Sequence, residues 1–242
     1  MVDLLEYFAR RGRPATLAEI ADELSWPRSS TFNIVGTLAK KGYLYEPRQR
    51  GSYYPSPRWH TVTQLISDSD PLPQTMRDLV DDVGRQTGET TAIGSISGLD
   101  AIFLHVCESR HPVRYFAQVG TKVPIHASSA GRALLSQLTA KERNLLYRKI
   151  VFDKFTTTTP LSIERIESDL AAARERGYHQ SDSEYIPDLA GVAMEVPGQN
   201  KKLSLVVAGP TTRCLDRRPE TARIMHAALQ SRGLTRAEAP AA

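Results

Sequence analysis

Apolar positions recur at helical spacing through the first quarter of the chain. Leu4, Leu5 and Phe8 predict a helix over Val2 to Ala9, broken by the segment ARRGRPA. Thr16 stands three residues before Glu19, the spacing at which a hydroxyl and a carboxylate cap a helix start reciprocally. Leu17, Ile20, Ala21 and Leu24 then give a second helix its apolar stripe, Ser25 and Trp26 form a turn, and Pro27 suits the first position of a third helix. In that third helix Thr31, Ile34, Val35 and Leu38 share one face, while Arg28, Ser29, Phe32, Asn33 and Thr37 lie off it. Gly36 weakens the helix by about 0.5–1 kcal/mol relative to alanine and permits a close approach. Gly42 ends the helix, and Tyr43 to Glu46 and Ser52 to Pro55 predict two short strands around a basic tip carrying Arg48 and Arg50. Three helices and a hairpin in this order predict a winged helix-turn-helix, in which the second helix braces the third against the major groove. A small helical subdomain with solvated arginines is the other reading of the same pattern.

Downstream the pattern changes. Residues 56–69 are a partly helical connector, and Pro71 and Pro73 mark a boundary before a helix through Met76, Leu79, Val80 and Val83. Thr90 to Ile96 and Ala101 to Val106 predict a hairpin around SGLD, and Val113 to Gln118 predicts a third strand. HASSAGRALLSQL (126–138) begins with small residues and becomes helical, and Thr139 and Glu142 repeat the capping spacing. After the polar loop TTTTP (156–160), Ile163, Ile166, Leu170 and Ala173 mark a helix closed by Gly177. Val192 to Val196 pairs with Leu203 to Val207, and a last helix runs through Ala222, Met225 and Leu229. Neighbouring strands that pair favour a mainly antiparallel sheet, so the fold class is α+β. The division is residues 1–57 for the winged helix-turn-helix, 58–70 for a linker helix, and 71–242 for the second domain.

Composition adds constraints. The 242 residues are 40% hydrophobic and 24% charged, as in a folded domain pair. Net charge is +4, and residues 1–63 hold nine Lys or Arg against six Asp or Glu, an excess of three that sits largely between 28 and 58. This excess permits nucleic-acid binding and places it in the first domain. No run approaches 18 apolar residues, so no membrane span is expected. Two cysteines, Cys107 and Cys214, make no disulfide framework and fit a reducing, cytoplasmic setting. His105, Cys107 and His111 form no CxxC or HExxH pattern, the adjacent acids Asp81 and Asp82 cannot share a helix face, and the glycines form no phosphate loop. No enzyme activity, cofactor or metal is expected.

The segments TLAEIADELSWPRSSTFNIVGTLAKKGYLYE, GSYYPSPR, TGETTAIG, VGTKVPIHASSAGRALLSQL, ERGY, DSEYIPDLAGVAMEV and LSLVVAGP, in this order, resemble the IclR family of bacterial transcriptional regulators. The resemblance covers almost the whole chain. It implies a winged helix-turn-helix joined by a linker helix to an effector-binding domain with a GAF-like or profilin-like fold. It also implies a homodimer or a dimer of dimers on double-stranded operator DNA, answering to a small metabolite. Many members repress and some activate; a sensor acting only through protein partners is the remaining alternative.

On this basis the third helix is the recognition helix, with Arg28, Ser29, Ser30, Phe32, Asn33 and Thr37 nearest the DNA. Arg28 and Asn33 suit bidentate contacts to purine edges, Ser29 and Ser30 suit phosphates, and Arg48 and Arg50 of the wing add salt-dependent affinity. Lys40 and Lys41 face water. The resemblance places the effector against Ser128, Ser129 and Ala130, where small side chains expose backbone amides near a helix start. It also implicates Ser181, where some relatives have aspartate, and Gly191, where cysteine is common. Loss of a side chain at Gly191 is expected to enlarge the pocket or open its backbone to the ligand. Glu184 matches a recurrent acid that either meets the ligand or holds a loop; Ser204 faces either the pocket or the other side of its sheet, and Phe116 and Met194 are apolar walls or plain core. These substitutions imply a small, weakly polar effector with one carboxylate, aldehyde or lactone-like group. Succinate semialdehyde or a related four-carbon compound, as sensed by the family's regulator of γ-butyrolactone and γ-hydroxybutyrate breakdown, is the expected example.

Overall fold

The structure is a computed structural model that describes residues 1–47, 51–69 and 71–234. The chain forms two compact units, Met1–Pro71 and Leu72–Ala242. In the first, α1 (Val2–Arg11), α2 (Leu17–Glu23) and α3 (Arg28–Lys40) pack around Leu4, Phe8, Ile20, Val35, Leu38 and Leu44. α1 runs two residues beyond its predicted end and stops at Gly12, whose φ of 64° is the left-handed turn glycine tolerates. Thr16 accepts from the Glu19 amide while the Glu19 carboxylate accepts from the Thr16 amide at 2.8 Å, completing the predicted reciprocal cap.

The strands β2 (Leu44–Tyr45) and β3 (Ser52–Pro55) pair antiparallel as the wing, with Leu44 opposite Pro55. A two-residue strand β1 (Ala15–Thr16), too short to show alternation, pairs with the other edge of β3. After β3, α4 (Arg58–Ser69) is tied to the wing base: Trp59 Nε1 donates to the Tyr43 carbonyl at 2.9 Å, and the two rings pack tilted by 51° with centroids 4.7 Å apart. No residue of α4 is buried, and Leu65 and Ile66 are each 65% exposed.

The second unit is built on a sheet of β4 (Thr90–Ser97), β5 (Asp100–Cys107), β6 (Lys122–Pro124), β7 (His179–Asp182), β8 (Leu189–Val196) and β9 (Leu203–Pro210). Among the described residues its order is β6-β5-β4-β9-β8-β7, and every neighbouring pair is antiparallel. The expected hairpins 90–106 and 192–207 form its four central strands. The expected strand at Val113 to Gln118 does not form; that stretch is an irregular loop, and the edge strand is β6 instead. Its partner register, Ala101 opposite Val123, uses residues whose apolar run is too short to be read as a strand.

Alternation along β8 and β9 sends side chains to two different cores. Val192, Met194, Val196, Leu205 and Val207 meet α5 (Gln74–Thr87) and α10 (Arg218–Gln230) on one face. Ala193 and Val206 meet α6 (Ser129–Leu135) on the other. α6 lies tight against the chain before it, since a Cβ on Gly131 would stand 2.2 Å from the Ile125 carbonyl oxygen. α7 (Ala140–Tyr147) and α8 (Ile163–Arg176) close the outside of this layer through Tyr147, Ile166 and Leu170, and α9 (Thr211–Cys214) follows β9.

The cap of α2 makes the first unit sensitive to acid. The Thr16 amide and the Arg11 guanidinium hold the Glu19 carboxyl at about 2, against an ordinary 4.5. A carboxyl with a depressed folded pKa stabilises fully above its unfolded pKa, and that contribution disappears as pH falls through the folded value. Both tryptophans, Trp26 and Trp59, lie in this unit. Tryptophan fluorescence should therefore report a loss of stability between about pH 4.5 and about pH 2, and Glu19→Gln should flatten that part of the profile.

Candidate functional site

Two features combine exposure or enclosure with polar chemistry, one in each unit. The first is the outer face of α3. The Trp26 amide donates to the Ala21 carbonyl at 2.9 Å, closing the turn, and Ser25 adopts a left-handed φ of 53° there. Thr31, Val35 and Leu38 are buried, and the Thr31 hydroxyl donates back to the Pro27 carbonyl at 3.1 Å. This fixes the rotation of the helix. Arg28, Ser29, Ser30, Phe32, Asn33 and Thr37 are consequently all exposed.

Pro27 caps α3 without a side-chain hydrogen bond, and no acid occupies the first turn. The free amides and positive end of the helix dipole thus meet the outside beside Arg28, an arrangement suited to a phosphate oxygen. Lys40 and Lys41 are exposed at the other end of the helix. Arg48 and Arg50 lie outside the described residues.

The second feature is a cavity of about 40 Å³ between α6, the α6-facing side of β8 and β9, and the segment 183–188. It is small beside the several hundred Å³ of sites for larger ligands. Ser128, Ser129, Ala130, Ser181, Glu184 and Gly191 all line it. Phe116, Met194 and Ser204 do not. Phe116 is 59% exposed in the irregular loop that replaces the expected strand, while its neighbour Tyr115 faces the cavity. Met194 points through the sheet to the opposite face, where it borders a different cleft of about 310 Å³ between α8, α10 and the edge of β8. Ser204 is fully buried on the cavity side of the sheet, two residues before the lining position Val206.

Gly191 does not enlarge the cavity in the expected manner. A Cβ there would stand 2.6 Å from Ser129 Oγ and 2.8 Å from Ser181 Oγ, so the space is taken by two converging hydroxyls. Ser128 Oγ is already committed, donating to the Pro124 carbonyl and accepting from the Gly131 amide. Tyr115 supplies another neutral hydroxyl, since burial pushes its pKa up to about 12.

The charged group on the wall is Glu184, and it is occupied. Arg132, 1% exposed, donates to both Glu184 carboxylate oxygens at 2.6 and 3.0 Å, and also to the Gln180 and His126 carbonyls. Burial raises the Glu184 carboxyl and the guanidinium opposes that rise. Sequence reasoning passed over Arg132. Its signal was a cation inside the apolar run AGRALL, which demands a buried partner.

The segment holding Glu184 is braced from the TTTTP loop. Thr159 Oγ1 donates to the Glu184 carbonyl at 2.7 Å, Thr158 Oγ1 donates to the Asp182 carbonyl at 2.9 Å, and Phe155 packs edge-on against Tyr185. Ser183 and Asp188, at its two ends, have left-handed φ values of 54° and 59°. Non-glycine residues adopt such angles only when their surroundings enforce them.

Other candidate groups have structural partners. His105 Nε2 lies 3.0 Å from Asp81, Asp82 pairs with Arg232, and the Cys107 thiol packs against Gly84. Among the described residues no group of three or more His, Cys, Asp or Glu is placed to hold a metal, and no helix is long and apolar enough to cross a membrane.

A regulator built from a DNA-reading head and a sensing domain has these two features, and comparison with known proteins gives the same class. Residues 1–48 match the IclR helix-turn-helix domain and residues 64–232 match the bacterial transcriptional regulator IclR C-terminal domain. The chain therefore belongs to the IclR family of bacterial transcriptional regulators, DNA-binding proteins rather than enzymes. It is 26% identical over 219 residues to the transcriptional repressor IclR of Escherichia coli, covering 89% of this chain and 80% of that protein. It is 27% identical to the acetate operon repressor of Salmonella typhimurium over the same shares of each chain. The crystal structure of the Thermotoga maritima IclR has the same fold, with a TM-score of 0.78, 17% identity and 96% of each chain covered.

The buried ion pair generates a stability prediction. Arg132→Ala strands the Glu184 carboxylate without a partner, which costs about 3–5 kcal/mol. Denaturant unfolding followed by far-UV circular dichroism should show that loss. The double variant Arg132→Met with Glu184→Gln should recover part of it, because no uncompensated charge remains.

Proposed function

We propose that the protein represses a small-metabolite catabolic operon and leaves its operator when a small organic acid, semialdehyde or lactone-derived effector enters the 40 Å³ cavity. The observation that carries this reading is the pairing of an exposed α3 face bearing Arg28 and Asn33 with a small, mainly apolar cavity in the other unit into which serine hydroxyls project. Arg28 and Asn33 read purine edges, Ser29 and Ser30 hold phosphates, and Phe32 and Thr37 complete the surface. Arg48 and Arg50 add affinity from the wing. Relatives named as repressors of metabolic operons, such as the acetate operon repressor, support the sign of regulation.

Ser128, Ser129, Ala130, Ser181 and Gly191 form the effector wall of a GAF-like or profilin-like domain. Glu184 acts through Arg132, positioning the 183–188 segment. The cavity's free polar groups are neutral hydroxyls, which favour a ligand oxygen with little charge. Succinate semialdehyde or another four-carbon compound is the proposed effector, and at about 40 Å³ the cavity must widen to admit it. The protein works as a homodimer and as a dimer of dimers; the exposed Leu65 and Ile66 on α4 offer apolar surface for self-association. Ligand must bind the operator-bound and released arrangements with different affinity, or it would shift nothing.

A mobility-shift assay with the intergenic DNA beside its own gene, repeated with two- to six-carbon acids, semialdehydes and lactones, tests this. Retardation relieved by a four-carbon compound is expected. Arg28→Ala and Asn33→Ala should each weaken retardation by the equivalent of about 1–3 kcal/mol, the value of one bidentate base contact. Absence of any shift rejects the reading, and tighter binding with ligand reverses its sign.

A further inference from the structure

We infer that Phe32 reads the 5-methyl group of a thymine in the major groove, and that Gly36 clears the space for that edge of the duplex. The inference rests on the reading of α3 as the DNA-contacting helix. Phe32 is 64% exposed and belongs to no apolar cluster of its unit, so the core does not explain it. A single exposed phenylalanine is unexceptional in itself. Its neighbours make this one informative.

Gly36 stands four residues on, on the same outer face, in mid-helix. Glycine weakens a helix interior relative to alanine, so it needs a reason there. Nothing among the described residues supplies one: a Cβ at Gly36 would meet none of their atoms within 4 Å, and its φ is not left-handed. Ser29, Asn33 and Thr37, around these two positions, are exposed and polar. An apolar ring and a bare backbone notch thus lie side by side within a surface otherwise made for hydrogen bonding.

That combination selects its partner. In the major groove every base edge offers donors or acceptors, and thymine alone adds a methyl group, the groove's apolar feature. A phenyl ring set against the other edges would strip water from polar groups and replace none of their hydrogen bonds. Set against a thymine methyl, it buries apolar surface on both sides. An RNA duplex lacks the methyl, and its deep, narrow major groove does not admit side chains. The recognised chemistry is therefore thymine-containing B-form DNA, with Arg28 and Asn33 reading neighbouring purines.

The probe is the duplex that the full-length chain enriches from a randomised pool, compared with copies carrying deoxyuridine for one thymidine at a time. Deoxyuridine keeps every hydrogen-bonding group and removes only the methyl. Fluorescence anisotropy should show one thymine position in each half-site where the exchange weakens wild-type binding about four-fold, the worth of one buried methyl. Phe32→Ala should bind the thymidine and deoxyuridine duplexes equally, both more weakly than wild type binds thymidine. Gly36→Ala should raise the melting temperature, since the methyl meets nothing, yet weaken binding to the enriched duplex. That opposition separates a role in DNA contact from a role in folding.

The inference is overturned if no thymine position responds to loss of its methyl, or if Phe32→Ala keeps the wild-type preference. It also fails if Phe32→Ala changes the oligomeric mass in the absence of DNA, which would make the ring a contact between copies. A pool from which nothing is enriched instead rejects DNA binding by α3, and this inference with it.

Discussion

A guanidinium buried to 1% exposure must have its donors answered inside the protein, and Arg132 meets that demand across three segments. Its carboxylate partner, Glu184, is drawn into the cavity wall, and the Gln180 carbonyl ties the edge strand β7 to α6. The pair yields little net stability compared with an apolar substitute, because both charges have left water. What it does is determine geometry. Arg132 anchors the segment 183–188 through Glu184, and Tyr185 and Ile186 line the cavity from that side. The threonines of 156–159 hold the same segment from outside through its carbonyls.

A different constraint governs the first unit. Burial of Thr31, Val35 and Leu38 rotates α3 so that Arg28, Ser29, Ser30, Phe32, Asn33 and Thr37 point away from the core. The helix is held at its start by a tight turn instead of a side-chain cap, which leaves its amides unclaimed at the end that carries Arg28. The outward set on α3 is a by-product of how the core is packed. The same three buried side chains that stabilise the unit decide which residues a partner can meet.

The legible parts were those where local chemistry and long-range packing agree. Helix starts with reciprocal caps at Thr16 and Thr139, the helix stop at Gly177 and the hairpins of the central sheet were readable because each signal is contained within a few residues. Edge elements were not. β1 and β6 are too short for alternation to register, and the Val113 to Gln118 stretch has strand-like composition but no strand pairs with it. Within the cavity, the small-residue segment at 128–130 and the positions Ser181, Glu184 and Gly191 came from the family pattern. Phe116 and Met194 came from side-chain type, which does not say where a residue points.

The sequence by itself determined the hairpins of the central sheet, the capped helix starts at Thr16 and Thr139 and the outward set on α3, because periodicity and capping operate over one or two turns. Tertiary structure alone decided that two serine hydroxyls fill the place of a missing side chain at Gly191 and that Arg132 holds Glu184. Those outcomes depend on which strands become neighbours and on where a buried charge finds its counterpart some fifty residues away, and no local pattern contains that information.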